Sequence, residues 1–319
     1  MNHLGTTQPS GSVQGRPSRD ADLSGSLIGN YRAVRRLGSG STGQVYLAEH
    51  PTLERRVAIK VLADHLACLT DAAARFLNEA RAVARIRHPS VIEVFDQGSL
   101  PDGRPYMVME LLHGQTLQQR IDARRPHSAE QLRPHVEQLC AGLQAAHEGG
   151  VVHRDLKPDN VFVLSEQPVR LKILDFSIAK LLEPTPGVQQ TDTGVVMGTP
   201  LVLAPEQAAG LPDRISPRTD LYSLGVMLYW LLAGEPPFYD EAPGLLLSKH
   251  LNDDPVPLRV RAPQVPAAVA RVVHACLEKE PEQRPASAAD VARAYVEALR
   301  EPDPRPAARR RWWPAVAVP

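Results

Sequence analysis

The chain has 319 residues, and its 36 Lys and Arg residues balance 36 Asp and Glu residues, so the formal net charge is zero. Nucleic-acid-binding proteins normally carry a basic excess, and the balance therefore argues against nucleic acid as a partner. Cys68, Cys140 and Cys276 have neither metal-ligand nor disulfide spacing. This indicates reduced cysteines in a cytosolic domain.

The first 30 residues are rich in Gly, Ser, Thr and Gln and contain no apolar signal segment. Such a composition cannot bury enough apolar surface to offset the entropy cost of folding. Residues 1–30 are therefore predicted to form a disordered tail.

A glycine-rich motif, G-x-G-x-x-G, occupies Gly38–Gly43. The same spacing marks dinucleotide-binding folds, in which the motif opens a helix. Here it lies between two predicted strands, at Tyr31–Leu37 and Val45–Ala48. We therefore interpret it as a turn whose backbone N–H groups can approach a polyphosphate closely.

The β-branched run Val57–Lys60 ends in one of only six lysines in the chain. A solvated lysine at a strand end is one interpretation, and a phosphate-binding lysine is the other. Next, Thr70 or Asp71 can cap a helix in which the apolar residues follow helical spacing. These are Phe76, Val83 and Ile86.

Two further strands are predicted at Val91–Phe95 and Pro105–Leu111, joined by a turn at Pro101–Gly103. Beyond them, Ser128 and Gln131 form a capping box. This box opens a long apolar helix that ends near Gly149 and Gly150.

The most informative segment is the loop His153–Asn160, which follows that helix. Within six residues it presents a carboxylate, an ammonium group and an amide, at Asp155, Lys157 and Asn160. These groups suit a base, a phosphate contact and a metal ligand in phosphoryl transfer. A predicted strand pair follows at residues 161–164 and 169–174, and leads to Asp175.

Together, the loop, the glycine motif, the V-A-I-K run and the Asp175-Phe176-Ser177 triplet resemble the eukaryotic-like (Hanks-type) bacterial serine/threonine protein kinases. The resemblance extends from about Tyr31 to Arg300. It implies an α+β fold of two lobes with a nucleotide cleft between them. A small antiparallel sheet with one helix (31–110) would connect through a hinge (111–114) to a larger, mainly helical lobe (115–300).

The resemblance also implies roles for individual residues, with ATP and Mg²⁺ as cofactors and Mn²⁺ as an alternative metal. Asp155 would accept the substrate proton and Lys157 would neutralise the transferred phosphoryl group, while Asn160 and Asp175 would bind the metal. Lys60 would bind phosphates, held by Glu79, which follows it by 19 residues. The expected ATP-binding residues are Gly38, Ser39, Gly40, Ser41, Thr42, Gly43, Val45, Ala58, Lys60, Met109, Glu110, Leu112 and Phe162.

A second set of residues is expected to support two segments. These are the activation segment, Ile178–Gly198, and the loop His153–Asn160, which we call the catalytic loop. Thr191 and Thr193 resemble paired autophosphorylation sites, although a mobile loop with solubilising threonines is the alternative. Asp220, at the start of a predicted apolar helix Leu221–Leu232, would bond to the catalytic loop, and Arg284 would pair with Glu206. The full structural set is Arg154, Lys180, Thr199, Glu206, Asp220 and Arg284.

Two positions depart from the family pattern: Ser177 replaces glycine, and Val202 replaces an aromatic residue. A serine at positive φ costs roughly 1–2 kcal/mol relative to glycine. Ser177 therefore keeps open the alternative of a pseudokinase, a nucleotide-binding scaffold without turnover. The joint presence of Lys60, Glu79, Asp155, Asn160 and Asp175 favours an enzyme that phosphorylates protein Ser and Thr hydroxyls.

The C-terminal residues 301–319 are Pro- and Arg-rich, with Arg309–Arg311 followed by Trp312, Trp313 and a short apolar run. This order is typical of a segment entering a membrane from the cytoplasm, but the run is far shorter than the roughly 20 residues that span a bilayer. The start of a transmembrane segment, a basic peripheral tail and a solvated tail all remain open. Protein substrates and a homodimer for trans-autophosphorylation are the other expected partners.

Overall fold

The computed structural model describes residues 22–40, 42–68, 70–123, 126–176 and 200–303. Its first part is an antiparallel sheet of six strands in the order β1-β2-β3-β4-β6-β5. The strands are β1 (Leu27–Ile28), β2 (Tyr31–Gly40), β3 (Gly43–Glu49), β4 (Arg56–Leu62), β5 (Val94–Ser99) and β6 (Pro105–Glu110). Between β4 and β5 lie the short helix α1 (Asp64–Ala67) and the longer α2 (Thr70–Ala84).

The strand β4 lies inside this sheet, between β3 and β6. Alternate side chains on a strand point to opposite faces. Val57 and Ile59 accordingly pack in one apolar cluster, whereas Leu62 packs with Phe76 of α2 in another. Burial on both faces explains why the predicted V-A-I-K run is so apolar, and it places Lys60 in the interior.

The structure corrects the predicted N-terminal tail for residues 22–30. Leu27 and Ile28 pair with β2, and the Ile28 side chain is fully buried. The backbone N–H of Leu23 donates to the hydroxyl of Tyr46 at 3.2 Å. Isolated apolar residues among Gly and Ser are enough to order this segment because the sheet provides partners for them.

The strand predicted at Val91–Phe95 lies further along the chain in the structure. The strand β5 begins at Val94 and continues through polar residues to Ser99, where it forms an edge of the sheet. Val91 instead forms an isolated parallel bridge to Ile173. The apolar pattern indicates burial, and Val91 and Ile92 are buried in the core cluster of the second lobe, whereas Phe95 packs on the cluster of the first sheet.

The second part of the chain is mainly helical and also carries a three-stranded sheet, β7 (Gln115–Thr116), β8 (Val161–Glu166) and β9 (Val169–Ile173). Its helices are α3 (Leu117–Ala123), α4 (Ala129–Glu148), α5 (Pro205–Ala208), α6 (Pro217–Ala233), α7 (Pro243–Asn252), α8 (Leu258–Arg261), α9 (Ala267–Cys276) and α10 (Ala288–Arg300).

The centre of this lobe is α6, which is apolar on almost every face and nearly all buried. It ends at Gly234, whose φ of 84° is the left-handed conformation common after helices. The start differs from the prediction, because α6 begins at Pro217 after Ser216, one turn before Asp220. Asp220 therefore lies within the helix and its carboxylate is free to bond elsewhere.

Serine residues cap two of these helices, and the first of these caps was the predicted one. Ser128 and Gln131 form the reciprocal capping box of α4, with bonds of 2.9 and 3.2 Å. Ser287 caps α10 by accepting the N–H of Asp290 at 3.1 Å. The predicted α+β architecture, a sheet lobe followed by a mainly helical lobe, is confirmed. Over the ranges that the structure describes, none of the helices has both the length and the apolar content needed to span a bilayer.

Candidate active site

The site forms where β4 of the sheet lobe faces the loop before β8 and the end of β9. The ammonium group of Lys60 lies 3.0 Å from Oδ2 of Asp175. Lys60 and Glu79 are each only 6% exposed. Burial alone would lower the pKa of Lys60, but the carboxylates of Asp175 and Glu79 outweigh it and raise that pKa. The lysine is therefore a permanent cation in the cleft.

The loop before β8 brings together three of the side chains predicted for catalysis. Nζ of Lys157 lies 3.0 Å from Oδ2 of Asp155. The amide nitrogen of Asn160 donates to the backbone oxygen of Asp155 at 2.8 Å and to its carboxylate at 3.2 Å. Because the nitrogen of the amide is committed to Asp155, its oxygen is the atom left to act as a ligand.

The catalytic loop is held in place by α6. Oδ1 of Asp220 accepts the N–H of Arg154, and Oδ2 accepts that of His153, both at 2.8 Å. Arg154 has a φ of 64°, a strained conformation for a residue with a side chain. The contacts from Asp220 hold the backbone in this conformation.

A second set of contacts joins this loop to the segment around Asp175. A ring nitrogen of His153 lies 2.7 Å from the carbonyl oxygen of Leu174, and the His153 ring packs on Phe176 at 4.6 Å. Burial lowers the pKa of His153. Phe176 is buried, so Asp175 directs its carboxylate toward Lys60 while Phe176 places its aromatic ring in the core.

The guanidinium group of Arg154 is incompletely satisfied. Its Nε and Nη1 atoms are buried, and they have no hydrogen-bond partner among the residues that the structure describes. Burial lowers the pKa of Arg154, partly offset by Asp220. Such a group favours the approach of an anion.

In the glycine motif, strands β2 and β3 stay paired as far as Gly40 and Gly43, which lie opposite each other. A side chain at Gly38 or Gly40 would meet open space. At Gly43, φ is +156° and a Cβ atom would lie 2.1 Å from the carbonyl oxygen of Val61. The third glycine is thus required by packing against β4, while the first two leave the surface above the cleft clear.

The residues expected around adenine lie on neighbouring strands. In the strand register, Val45 is opposite Lys60, and Ala58 is opposite Met109. The N–H of Glu110 donates to the carbonyl of Glu93 at 3.0 Å, so this donor is already used within the protein. The remaining predicted nucleotide-binding residues within the described ranges are Ser39 and Thr42 on or beside β2 and β3, Leu112 after β6, and Phe162 on β8.

A buried ion pair supports the lobe beyond the activation segment. Arg284 makes two 2.8 Å bonds to the carboxylate of Glu206, and the Thr219 hydroxyl adds a third at 2.7 Å. Burial would raise the pKa of Glu206, but the bonds from Arg284 lower it overall. The guanidinium is fully enclosed and also donates to three backbone carbonyls, those of Arg218, Glu278 and Lys279.

Sequence reasoning missed two residues that support the catalytic loop. Nε2 of His147, in the last turn of α4, lies 2.7 Å from Oδ2 of Asp220. The amide of Gln207 donates to the carbonyl oxygen of Arg154 at 2.7 Å. Neither lies in a motif, and only the long-range fold brings them to the loop.

Several predicted residues lie outside the described ranges: Ser41, Ser177, Lys180, Thr191, Thr193, Thr199 and the tail 304–319. Val202 is described, and it is buried with its carbonyl oxygen accepting the hydroxyl of Ser223 at 2.8 Å. Its side chain belongs to the hydrophobic core of the second lobe.

Comparisons with known proteins agree with this geometry. The model of the protein kinase domain family matches residues 31–296. The serine/threonine-protein kinase Pkn1 of Myxococcus xanthus is 42% identical over 281 residues, and the serine/threonine-protein kinase PknB of Mycobacterium leprae is 37% identical over 268 residues. The alignments cover 88% and 83% of this chain, but only 40% and 42% of these relatives.

Among solved structures, the kinase domain of Mycobacterium tuberculosis PknI matches with a TM-score of 0.68 and 28% identity. The match covers 86% of this chain and 98% of that domain. Since the family model spans most of the sequence and the side chains predicted for catalysis meet in one cleft, this chain belongs to the protein kinase domain family.

Proposed function

We propose that this chain is an ATP-dependent protein serine/threonine kinase that transfers the γ-phosphoryl group to Ser and Thr hydroxyls of protein substrates. The observation that carries the proposal is the Lys60–Asp175 contact at 3.0 Å, formed close enough to Asp155 that the Asp155 charge also raises the pKa of Lys60. A cation for phosphates, a carboxylate for a metal and a base thus share one cleft.

In the proposed reaction, Asp155 orients the substrate hydroxyl and accepts its proton as the oxygen bonds to the γ-phosphorus. The bond from that phosphorus to the bridging oxygen breaks, and ADP leaves with the electron pair. Lys157, held 3.0 Å from Asp155, neutralises negative charge on the transferred group. Lys60 keeps its positive charge at the phosphates throughout because nearby carboxylates stabilise it.

The side chains at the cleft suit Mg²⁺, with Mn²⁺ as an alternative. The amide oxygen of Asn160 and the carboxylate of Asp175 are the hard oxygen ligands that this ion prefers, and Mg²⁺ usually takes few protein ligands besides phosphates and water. The bound ion would neutralise negative charge on the phosphates.

Phosphoryl transfer from labelled ATP to a generic basic protein tests the proposal. Asp155→Asn should lower kcat by roughly 10²–10⁴-fold with little change in nucleotide affinity, because it removes the base but no phosphate contact. The matched control is Asp159→Asn, the same change at an exposed carboxylate four residues away. A protein that binds nucleotide with no transfer above the Asp155→Asn level would instead be a pseudokinase scaffold.

We also propose that Thr191 and Thr193 are phosphorylated and that their phosphates bind Arg154. The support is the buried guanidinium, whose Nε and Nη1 lack a partner among the described residues. A phosphate adds up to two negative charges and can form charge-assisted bonds with arginine. Mass spectrometry after incubation with ATP should find both sites occupied, and replacing both threonines by alanine should lower activity. Full activity of that variant would overturn the proposal.

Transfer between two copies is the proposed route to these phosphates. In that case the initial rate of autophosphorylation per molecule rises with protein concentration, whereas transfer within one molecule gives a constant rate. Mixing Asp155→Asn protein with a shorter active form separates the two routes directly. Labelling of the inactive chain supports transfer between copies, and its absence contradicts it.

The tail is proposed to attach the kinase to the cytoplasmic face of a membrane. Its support is the sequence, in which Arg309–Arg311 precede Trp312 and Trp313. Each arginine near an anionic leaflet contributes about 1 kcal/mol. The full chain should bind anionic vesicles at low salt better than a chain ending at Arg300 or one with glutamines at 309–311. Equal, negligible binding by all three proteins would refute the proposal that the C-terminal tail attaches the kinase to a membrane.

A further inference from the structure

The segment Ser90–Glu93, which follows α2, is bonded to both lobes. Its Ile92 N–H donates to the carbonyl of Ile173 at 3.0 Å, and the Ile173 N–H donates to the carbonyl of Ser90 at 2.8 Å. The segment thus lies beside the end of β9 and forms a parallel bridge with it. Ile173 is the last residue of β9, two residues before Asp175.

A charged side chain completes this junction. The ammonium group of Lys172 forms an ion pair with the carboxylate of Glu110, and it also donates to the carbonyl of Val91 at 3.1 Å. The side chains of Lys172 and Glu110 are 12% and 22% exposed. Both side chains are therefore largely buried. Because removing charges from water is costly, a buried ion pair stabilises the protein only when its geometry is good.

The same carboxylate bonds back to the segment. Oε1 of Glu110 accepts the N–H of Glu93 at 2.8 Å, and the N–H of Glu110 donates to the carbonyl of Glu93 at 3.0 Å. Glu110 is the last residue of β6, immediately before residues 111–114 that lead into the second lobe. One carboxylate therefore joins the end of the sheet lobe, the segment after α2 and β9.

We propose that Lys172 and Glu110 are positioning residues for phosphoryl transfer. Their contacts with Ser90–Glu93, which we name the interlobe contact, fix β9 relative to the sheet so that Asp175 is held 3.0 Å from Lys60. Movement of β9 away from the sheet requires breaking the ion pair and the backbone bonds of the segment together. The inference rests on the proposed kinase activity for its effect on rate, but not for its effect on local order.

The test combines hydrogen exchange of the nucleotide-free protein with kinetics. Lys172→Met removes the ammonium group, and Glu110→Gln removes the charge while keeping an oxygen to accept the Glu93 N–H. Lys172→Arg is the conservative variant. Lys249→Met is the matched control, because it also removes a lysine from an ion pair. Lys249 lies on α7, in a different part of the second lobe, and its ammonium group is 3.0 Å from the carboxylate of Asp240.

In both charge-removing variants we expect the amides of Ile92 and Ile173 to exchange about tenfold faster or more, while those of α6 are unchanged. KM for ATP should rise about fivefold with a smaller change in kcat, since looser placement of Asp175 affects nucleotide binding first. Lys172→Arg should restore most of both properties. Lys249→Met should behave as the unaltered protein does.

Unchanged exchange at Ile92 and Ile173 in both Lys172→Met and Glu110→Gln would overturn the proposal. A uniform rise in exchange through both lobes would also overturn it, because it would mean general destabilisation. If Lys172→Met does not fold, Glu110→Gln decides the question alone. Failure of the unaltered protein to transfer phosphate would refute the proposed function, whereas the exchange pattern reports on the interlobe contact independently.

Discussion

Oδ2 of Asp220 lies 2.7 Å from a ring nitrogen of His147 and 2.8 Å from the backbone nitrogen of His153. One buried carboxylate thereby joins the central helix of the larger lobe to the end of α4 and to the catalytic loop. The loop conformation, with its positive φ at Arg154, depends on this anchor. The position of Asp155, one residue later, follows from it.

Asp220→Ala should therefore impair both stability and catalysis. The change leaves two backbone N–H groups and the His147 ring without their acceptor, and an unsatisfied buried donor costs about 1–3 kcal/mol. We expect a loss of about 3–5 kcal/mol in the free energy of unfolding and a fall in kcat. Urea denaturation and steady-state kinetics measure the two effects. The exposed Asp213→Ala should change neither, and equal behaviour of the two variants would refute the anchoring role.

The glycines of the motif should differ sharply in their tolerance of alanine. Gly43→Ala places a methyl group 2.1 Å from the carbonyl of Val61 and should destabilise the fold by about 2 kcal/mol or more. Gly40→Ala enters open space, so its effect on thermal stability should be small, and a rise in KM for ATP is expected instead. Equal melting temperatures for the two variants would contradict this distinction.

The Glu206–Arg284 pair should be costly to break from one side. Arg284→Ala leaves a carboxylate that is 2% exposed without its counter-charge, and we expect a loss of about 3–5 kcal/mol. The double change Glu206→Leu with Arg284→Met should cost less than the sum of the single changes. Arg214→Ala, which breaks an exposed pair with Glu280, should cost under about 1 kcal/mol in the same denaturation assay. A similar cost for Arg214→Ala would argue against the importance of burial.

His250 should make the protein less stable in mild acid. Burial, aided by the ammonium group of Lys279, lowers the pKa of His250 to about 4. Between its ordinary pKa and about pH 4 the unfolded chain binds a proton here that the folded protein does not, so stability is lost as pH falls through this range. From pH 7 to pH 5 the loss should be about 2 kcal/mol.

Denaturation at the two pH values, with His250→Asn for comparison, measures this contribution. The variant should lose less stability on acidification than the unaltered protein does. The exposed His65→Asn serves as the control and should follow the unaltered protein. An identical pH dependence for all three proteins would mean that His250 makes no such contribution.

The sequence predicted those parts of the site that lie close together along the chain. Asp155, Lys157 and Asn160 occupy one loop, so their spacing alone indicates a shared role. The contact of Lys172 with Glu110 joins residues 62 positions apart, and no local pattern indicates it. Such contacts depend on how two lobes meet, which periodicity does not encode.

Boundaries were the other limit of sequence reasoning. Aspartate is a common cap, so the sequence predicts a helix that starts at Asp220, but Pro217 and Ser216 determine where α6 begins. The composition of residues 22–30 predicts a disordered tail, yet Ile28 is fully buried. In the first case a neighbouring local signal outweighed the one at Asp220, and in the second a tertiary contact outweighed the composition.

The pairing of Leu27 and Ile28 with β2 determines where this domain can be cut. Similarity to the family begins at residue 31, which suggests Tyr31 as the natural first residue of a shortened protein. Removing residues 22–30 would uncover the outer strand of the sheet and leave a gap where Ile28 packs. Exposed strand edges pair readily with other chains. A protein beginning at Tyr31 is therefore expected to aggregate, whereas one beginning at Asp22 retains its own protection.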